Sequence, residues 1–269
     1  MLKIENWELN NGVKIPAVGA GTYKATRETI SLALKTGYRH IDIAPIYGNE
    51  AEVGEAIADS GISRSELFLS VKVWNDHLRT GDVREAVEQS MQNLHTDYLD
   101  LLLFHWPVKD KYVDAWLKME ELYREGRVKA IGVSNCTPRQ IEELKMAGKV
   151  VPAVNQIEIH PKFTQDDVVG YCRDNGIAVQ SWSPLGGGNY VNDPVLHEIG
   201  TGYGKTAAQT LLRWNLQRGC IVIPKASTLE RLRQNAEIFD FSLTAEEMSR
   251  INQMNLNIRT GSDPENFDF

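Results

Sequence analysis

"HIDIAPIYGNE" (residues 40–50) sets an acid, Asp42, inside a short apolar run and follows it with a turn that carries Tyr47. The run reads as a strand. Asn49 and Glu52, just beyond, read as the capped start of a helix in a capping-box arrangement. Strand, turn and helix make one βα unit, and that unit recurs along the chain. Strand-like runs occupy residues 17–23, 40–44, 67–74, 99–105, 128–135, 153–160, 177–184 and 220–226. Amphipathic helical segments lie between them. Among these are residues 82–95 and 112–126, the second starting from an acidic cap and stopping at Gly126. Alternating βα units imply a parallel sheet. An open doubly wound sheet shares the alternation, but eight units in 269 residues favour a closed (β/α)8 TIM barrel. Ahead of the first unit, "WELN" and "VKIP" flank Asn11 and Gly12, which marks an N-terminal β-hairpin placed to cover one barrel end. The gap before the eighth strand is the longest and leaves room for an extra loop or helix. No linker, repeat or low-complexity run divides the chain, so residues 1–269 read as a single domain.

Composition excludes several partners. The net charge is −7, with both signs mixed along the chain, which argues against nucleic acid or an anionic membrane as the main partner. No stretch approaches the roughly 18 apolar residues of a membrane span, and the N-terminal residues lack a cleavage pattern. Cys136, Cys172 and Cys220 are odd in number and widely spaced, and fit neither a zinc site nor a disulfide framework. A reducing, cytoplasmic setting is the expectation.

A barrel places its chemistry at the C-terminal ends of the strands. Asp42 lies near the end of the second strand and Tyr47 on the loop after it. In "LFLSVKVW" (residues 67–74) the side chains alternate. Leu69, Val71 and Val73 suit the helix layer, so Lys72 points into the barrel. A buried ammonium is costly without a partner, and Asp42 can supply one. His105 then closes "LLLFH" on the next strand. Taken singly, each has a structural reading: an ion pair, a packed histidine, a tyrosine on a turn. Together they bring a proton donor, an ammonium that can lower its pKa, a carboxylate that orients the ammonium, and an imidazole that can hold a carbonyl oxygen. What is missing for reducing a carbonyl is a hydride donor, and no protein side chain can serve as one. A Schiff-base aldolase using Lys72 is the rival enzyme class.

The motifs "GYRHIDIAPIYGNEAEVG", "LFLSVKVWN", "DLLLFHWP", "IGVSN", "NQIEIHP", "SWSPLG" and "IPKASTLERLRQN" occur in the order seen in the aldo-keto reductases, and the chain resembles that family over essentially its whole length. It looks closest to the small prokaryotic branch that includes the 2,5-diketo-gluconate reductases. The resemblance implies reduction of aldehydes or ketones, with Asp42, Tyr47, Lys72 and His105 as catalytic tetrad and Tyr47 as general acid. It implies NADPH as donor, NADH binding less well, and a monomer acting on a small carbonyl compound. Ser134, Asn135 and Gln156 are implied at the nicotinamide carboxamide, and Trp182 under the nicotinamide ring. Ser183, Leu185 and Gly186 would lie along the pyrophosphate. Lys225 and Arg231 would grip the 2′-phosphate with Ser227 and Thr228 nearby, and Gln234 and Asn235 would reach the adenine. Thr22 and Tyr23 fall at the cofactor and substrate mouth, and Trp74 and Trp106 beside His105 fall in the substrate pocket. Some proteins of this fold only sense cofactor or serve as subunits; the intact tetrad argues against that here. The tail "GSDPENFDF" is short, and an open pocket is expected from it.

Overall fold

The computed structural model describes residues 4–269. Its first two strands, β1 (Asn6–Glu8) and β2 (Lys14–Pro16), form the antiparallel hairpin. Eight parallel strands follow: β3 (Ala20–Gly21), β4 (His40–Ile43), β5 (Phe68–Val73), β6 (Leu101–Phe104), β7 (Ile131–Ser134), β8 (Val154–Glu158), β9 (Ala178–Trp182) and β10 (Cys220–Val222). Each pairs with its chain neighbours in order. A further parallel bridge joins Val18 to Val222, where Gly19 N–H donates to the Val222 carbonyl (2.8 Å) and Val222 N–H to that of Ala17 (3.0 Å). That bridge brings the first strand against the last and closes the cylinder. The helices are α1 (Arg27–Thr36), α2 (Glu50–Asp59), α3 (Asn75–Thr80), α4 (Val83–Asn93), α5 (Tyr112–Arg124), α6 (Pro138–Ala147), α7 (Asp166–Asp174), α8 (Pro194–Gly202), α9 (Ala207–Gln217), α10 (Leu229–Ala236) and α11 (Ala245–Asn252). The long gap before β10 holds α8 and α9.

Side-chain alternation sorts the core into two layers. Leu69, Val71, Val73, Leu102 and Phe104 pack outward against the helices. Phe68, Leu101, Leu103, Val154 and Ile221 fill the barrel interior together with Leu9 and Ile15 of the hairpin. The hairpin thus seals the N-terminal end of the barrel, and Leu9 and Ile15 each contribute roughly 1.5–3 kcal/mol by that burial.

Three local expectations are corrected. The hairpin turn is not a two-residue Asn-Gly turn. Leu9 and Val13 close a three-residue loop in which only Gly12 takes a positive φ, 83°. The cap of α5 is Lys111 rather than an acid, because Asp110 adopts a left-handed turn one residue earlier and Asp114 falls inside the first helical turn. Asn49 precedes α2 but makes no side-chain cap bond. Its amide donates instead to the carbonyls of Thr22 (2.9 Å) and Ala25 (2.8 Å), and Glu52 accepts from Arg27 N–H. The residues that would build a capping box are used to tie the loop after β3 to α2.

His40, which opens β4, is fully buried. Its Nδ1 faces the Pro16 carbonyl (3.2 Å), an acceptor only, so Nδ1 carries the proton. Its Nε2 then accepts from the Ser70 hydroxyl (2.9 Å). Burial pushes its pKa from 6.5 down to about 4, outweighing the nearby Asp42 charge. The folded protein therefore keeps His40 neutral while the unfolded chain takes up a proton below pH 6.5. Its contribution to stability is full above that pH and is lost as pH falls toward 4. The wild type is expected to lose about 2 to 3 kcal/mol more than His40→Gln between pH 7 and 4.5, measured as denaturant-unfolding free energies. Equal losses in the two proteins would show that His40 does not titrate with unfolding.

Candidate active site

β4 and β5 run side by side with Asp42 opposite Ser70, which staggers Lys72 above the acid. Both charged groups are buried: Lys72 is 0 % and Asp42 1 % exposed. The Lys72 ammonium donates to Asp42 Oδ1 at 2.5 Å and to the Ile43 carbonyl at 3.3 Å. The second carboxylate oxygen, Oδ2, accepts from Gln156 Nε2 at 2.8 Å, and the same amide donates to Gln180 Oε1 at 3.0 Å. Both N–H bonds of Gln156 are thereby spent, and its Oε1 is left as its acceptor for any further contact.

Tyr47 ends the short 3-10 turn Pro45–Tyr47 that follows β4. Lys72 Nζ lies 5.4 Å from its ring centroid. Sequence reasoning expects Lys72 to pull the phenol below its usual value. That pull is present, but burial outweighs it and raises the Tyr47 pKa. The phenol is protonated at neutral pH, the state a proton donor needs. For Lys72, burial acts downward, yet Asp42 and Tyr47 together outweigh it and raise the pKa, so the ammonium stays charged.

His105 follows β6 and sits 5.9 Å from Tyr47 and 5.1 Å from Trp74, ring centroid to centroid, each nearly edge-on. Burial, and then the Lys72 charge, hold its pKa well below 6.5, so the imidazole is neutral. The buried Nδ1 has no hydrogen-bond partner among the described residues. The tetrad proposed from sequence is therefore brought together at one barrel mouth from the ends of three adjacent strands.

Asn135, in a left-handed conformation (φ 60°) after β7, ties this cluster to the next strands. Its amide donates to the His105 carbonyl (3.0 Å) and to Ser134 Oγ (3.2 Å), and its oxygen accepts from Trp182 Nε1 (2.8 Å). Ser134 Oγ donates to the Gln156 backbone carbonyl at 2.9 Å. Thr22 is committed in the same manner, its hydroxyl bonded to the Asp42 carbonyl at 2.8 Å. Ser183, directly after Trp182, has a left-handed backbone (φ 48°), and Leu185 and Gly186 start the turn that follows. At the far rim, Thr228 caps α10, and Lys225 and Arg231 are exposed beside it. Lys225 Nζ donates to Ser227 Oγ at 2.6 Å, Gln234 bonds Glu230 at 3.1 Å, and Asn235 is buried. Ala226 is also buried and brings only a methyl group to this corner.

Residues 12–256 match the model of the aldo/keto reductase family. The chain belongs to that family. A curated but uncharacterised oxidoreductase of Bacillus subtilis (strain 168) is 46% identical to it, over 97% of this chain and 96% of the relative. A protein named glyoxal reductase from the same organism is 43% identical, over 97% of each. Among solved structures, a Bombyx mori aldo-keto reductase in complex with NADP superposes with a TM-score of 0.93 at 35% identity, covering 98% of this chain and 97% of that one. This aldo/keto reductase is an oxidoreductase, and its fold is the barrel that those neighbours share.

The pocket wall differs from expectation. The short tail does not leave the mouth open. Phe269 stacks on Trp74 at 6.0 Å with planes 12° apart and meets Trp106 edge-on at 5.4 Å. Phe267 lies 5.3 Å from Trp106. The Phe269 carbonyl oxygen accepts from Asn75 (3.0 Å) and from Arg79 (2.5 Å). Two phenylalanines spaced by one residue reach one pair of tryptophans, so tail length was the wrong guide. Arg79, Asn75, Phe267 and Phe269 carry no sequence signal of their own; only the alternate aromatics in "NFDF" hint at an inward face. Gln180 was likewise silent, since its importance is in meeting Gln156.

Removing Lys72 should strand a buried carboxylate. Lys72→Met is expected to destabilise the fold by about 3–5 kcal/mol, and Asp42→Asn in the same chain should restore most of the loss. Thermal and urea unfolding of the single and double variants measure this. A single variant as stable as the wild type would mean that Asp42 takes a proton or a water at no cost.

Proposed function

We propose that this protein reduces aldehydes or ketones to alcohols with NADPH, using Tyr47 as the proton donor. The observation that carries this reading is the buried Asp42–Lys72 pair beside a protonated Tyr47 and a neutral His105. The same pair speaks against Schiff-base chemistry, because an amine held protonated by Asp42 is a poor nucleophile.

The residues present fit a nicotinamide cofactor. Gln156 has its amide hydrogens pinned inward and an acceptor oxygen left for a carboxamide N–H. Trp182 is half-buried, with its ring nitrogen anchored on Asn135. Lys225 and Arg231 offer two exposed cations next to the start of α10, a ready site for the 2′-phosphate that NADPH has and NADH lacks. When bound, NADPH supplies the hydride. His105, neutral and with no competing charge of its own, orients the substrate oxygen by a hydrogen bond. Tyr47 delivers its phenolic proton to that oxygen as negative charge grows there. Lys72 stabilises the phenolate that results, and Asp42, itself oriented by Gln156, keeps the ammonium charged and aimed. Trp74 and Trp106 line the substrate side with Tyr23, which meets Tyr47 edge-on at 5.3 Å. The name of the glyoxal reductase relative makes small 2-oxoaldehydes a first choice of substrate, with sugar-derived ketones and aromatic aldehydes beside them.

Tyr47→Phe keeps the ring and removes the transferable proton. It is expected to lower kcat by about 10²–10⁴ while leaving the NADPH Kd within a factor of about two. A variant retaining more than about a tenth of the activity would remove Tyr47 from the role of general acid.

Arg231→Ala tests the cofactor assignment. NADPH should bind about tenfold more weakly and NADH should be unaffected, since a charge-assisted contact to the 2′-phosphate is lost from one cofactor only. The two Kd values follow from tryptophan fluorescence titrations. Parallel weakening of both cofactors would place the phosphate elsewhere.

A further inference from the structure

Glu158 ends β8 opposite Trp182 on β9. It is 1 % exposed, and its carboxylate is surrounded by donors from His160, Thr260 and Gly261. His160 Nε2–H donates to Oε1 at 3.1 Å and Thr260 N–H at 2.8 Å. The Thr260 hydroxyl donates to the same oxygen. Gly261 N–H reaches both carboxylate oxygens at 3.2 Å. A buried carboxylate is expensive to keep ionised. Only a group that accepts from several donors and offers none of its own serves this position. These hydrogen bonds outweigh the upward push of burial and hold the Glu158 pKa below the usual value.

What the carboxylate holds in place is a backbone that touches an aromatic ring. A Cβ on Gly261 would stand 2.5 Å from Trp182 Cη2. The φ of Gly261 is not in the left-handed region, so the ring and not the backbone is what demands glycine there. The opposite edge of the same ring donates from Nε1 to Asn135. The clamp extends to the turn after Trp182 as well. His160 Nδ1 shares a hydrogen bond with the Tyr190 hydroxyl (3.0 Å), and the Tyr190 ring fills the space in which a Cβ on Gly186 would lie, 2.2 Å away.

We infer that Glu158 is a positioning residue for Trp182: through Thr260 and Gly261 it fixes the pose of the ring that receives the nicotinamide. This rests on the reading of Trp182 as the nicotinamide platform. The segment that closes the substrate side of the mouth and the ring that meets the cofactor therefore share one anchor, although they lie far apart in the chain.

Three variants test the inference, with Trp182→Phe as reference and NADPH as the probe. Thr260→Val removes the hydroxyl at constant shape. Gly261→Ala pushes on the ring without touching Glu158. Glu158→Gln replaces an acceptor oxygen by a donor amide. The share of fluorescence quenching by NADPH that belongs to Trp182 is the difference between wild type and Trp182→Phe. Each of the three variants is expected to lose most of that share and to bind NADPH about tenfold more weakly. Gly261→Ala should do so with an unchanged melting temperature, which a purely structural role of the clamp does not produce. Wild-type quenching and Kd in both Thr260→Val and Gly261→Ala would overturn the inference while leaving the platform intact. If Trp182→Phe itself changes neither quenching nor Kd, the platform reading fails and the inference falls with it.

Discussion

Burying an ammonium at the centre of a protein is the constraint from which the site is built. Lys72 is the longest side chain sealed in the barrel's upper interior, and it is tolerable only because Asp42 meets it at 2.5 Å. The acid in turn spends its second oxygen on Gln156, and Gln156 spends its second hydrogen on Gln180. Each partner satisfies the next, so a single charge organises side chains from β4, β5, β8 and β9. Breaking any link leaves a buried polar group unpaired, which costs more than the link itself contributes.

This explains how much of the protein could be read in advance. Eight apolar runs separated by amphipathic segments specify a closed parallel sheet, and alternation along "LFLSVKVW" suffices to turn Lys72 inward. The convergence of Asp42, Tyr47, Lys72 and His105 was legible because three adjacent strand ends bring them together by topology alone. Local details were less so. The Asn49 and Glu52 pair has the spacing of a capping box, yet both side chains are drawn away by Thr22, Ala25 and Arg27, which sequence distance hides. The tail was misjudged for the same reason: its effect depends on what Phe267 and Phe269 touch. The Tyr47 pKa direction was missed because burial, a tertiary quantity, opposes the Lys72 charge and exceeds it.

Several residues implied at the cofactor already have partners within the protein. Asn135 bonds His105, Ser134 and Trp182, and Ser134 holds the backbone of Gln156. These contacts set the orientation of the groups facing the mouth before any ligand arrives, which lowers the ordering cost of binding. By contrast, Lys225 and Arg231 stand exposed on flexible stems at the rim. Orientation is thus fixed in the cluster beside His105 and left adaptable at the rim.

The hairpin decides from which end solvent enters the barrel. Leu9 and Ile15 stop the floor of the barrel, and Phe68, Leu101, Leu103, Val154 and Ile221 fill the space above them. Between that floor and Asp42 lie buried polar groups bonded to one another: His40 with Ser70 and Gln180, Gln180 with Gln156, and Gln156 with Asp42. The floor itself is stopped with hydrocarbon, so solvent meets Tyr47 from the mouth side, where Trp74, Trp106 and the tail stand. The barrel is a vessel stopped at one end, so whatever reaches Tyr47 and Lys72 arrives at the other.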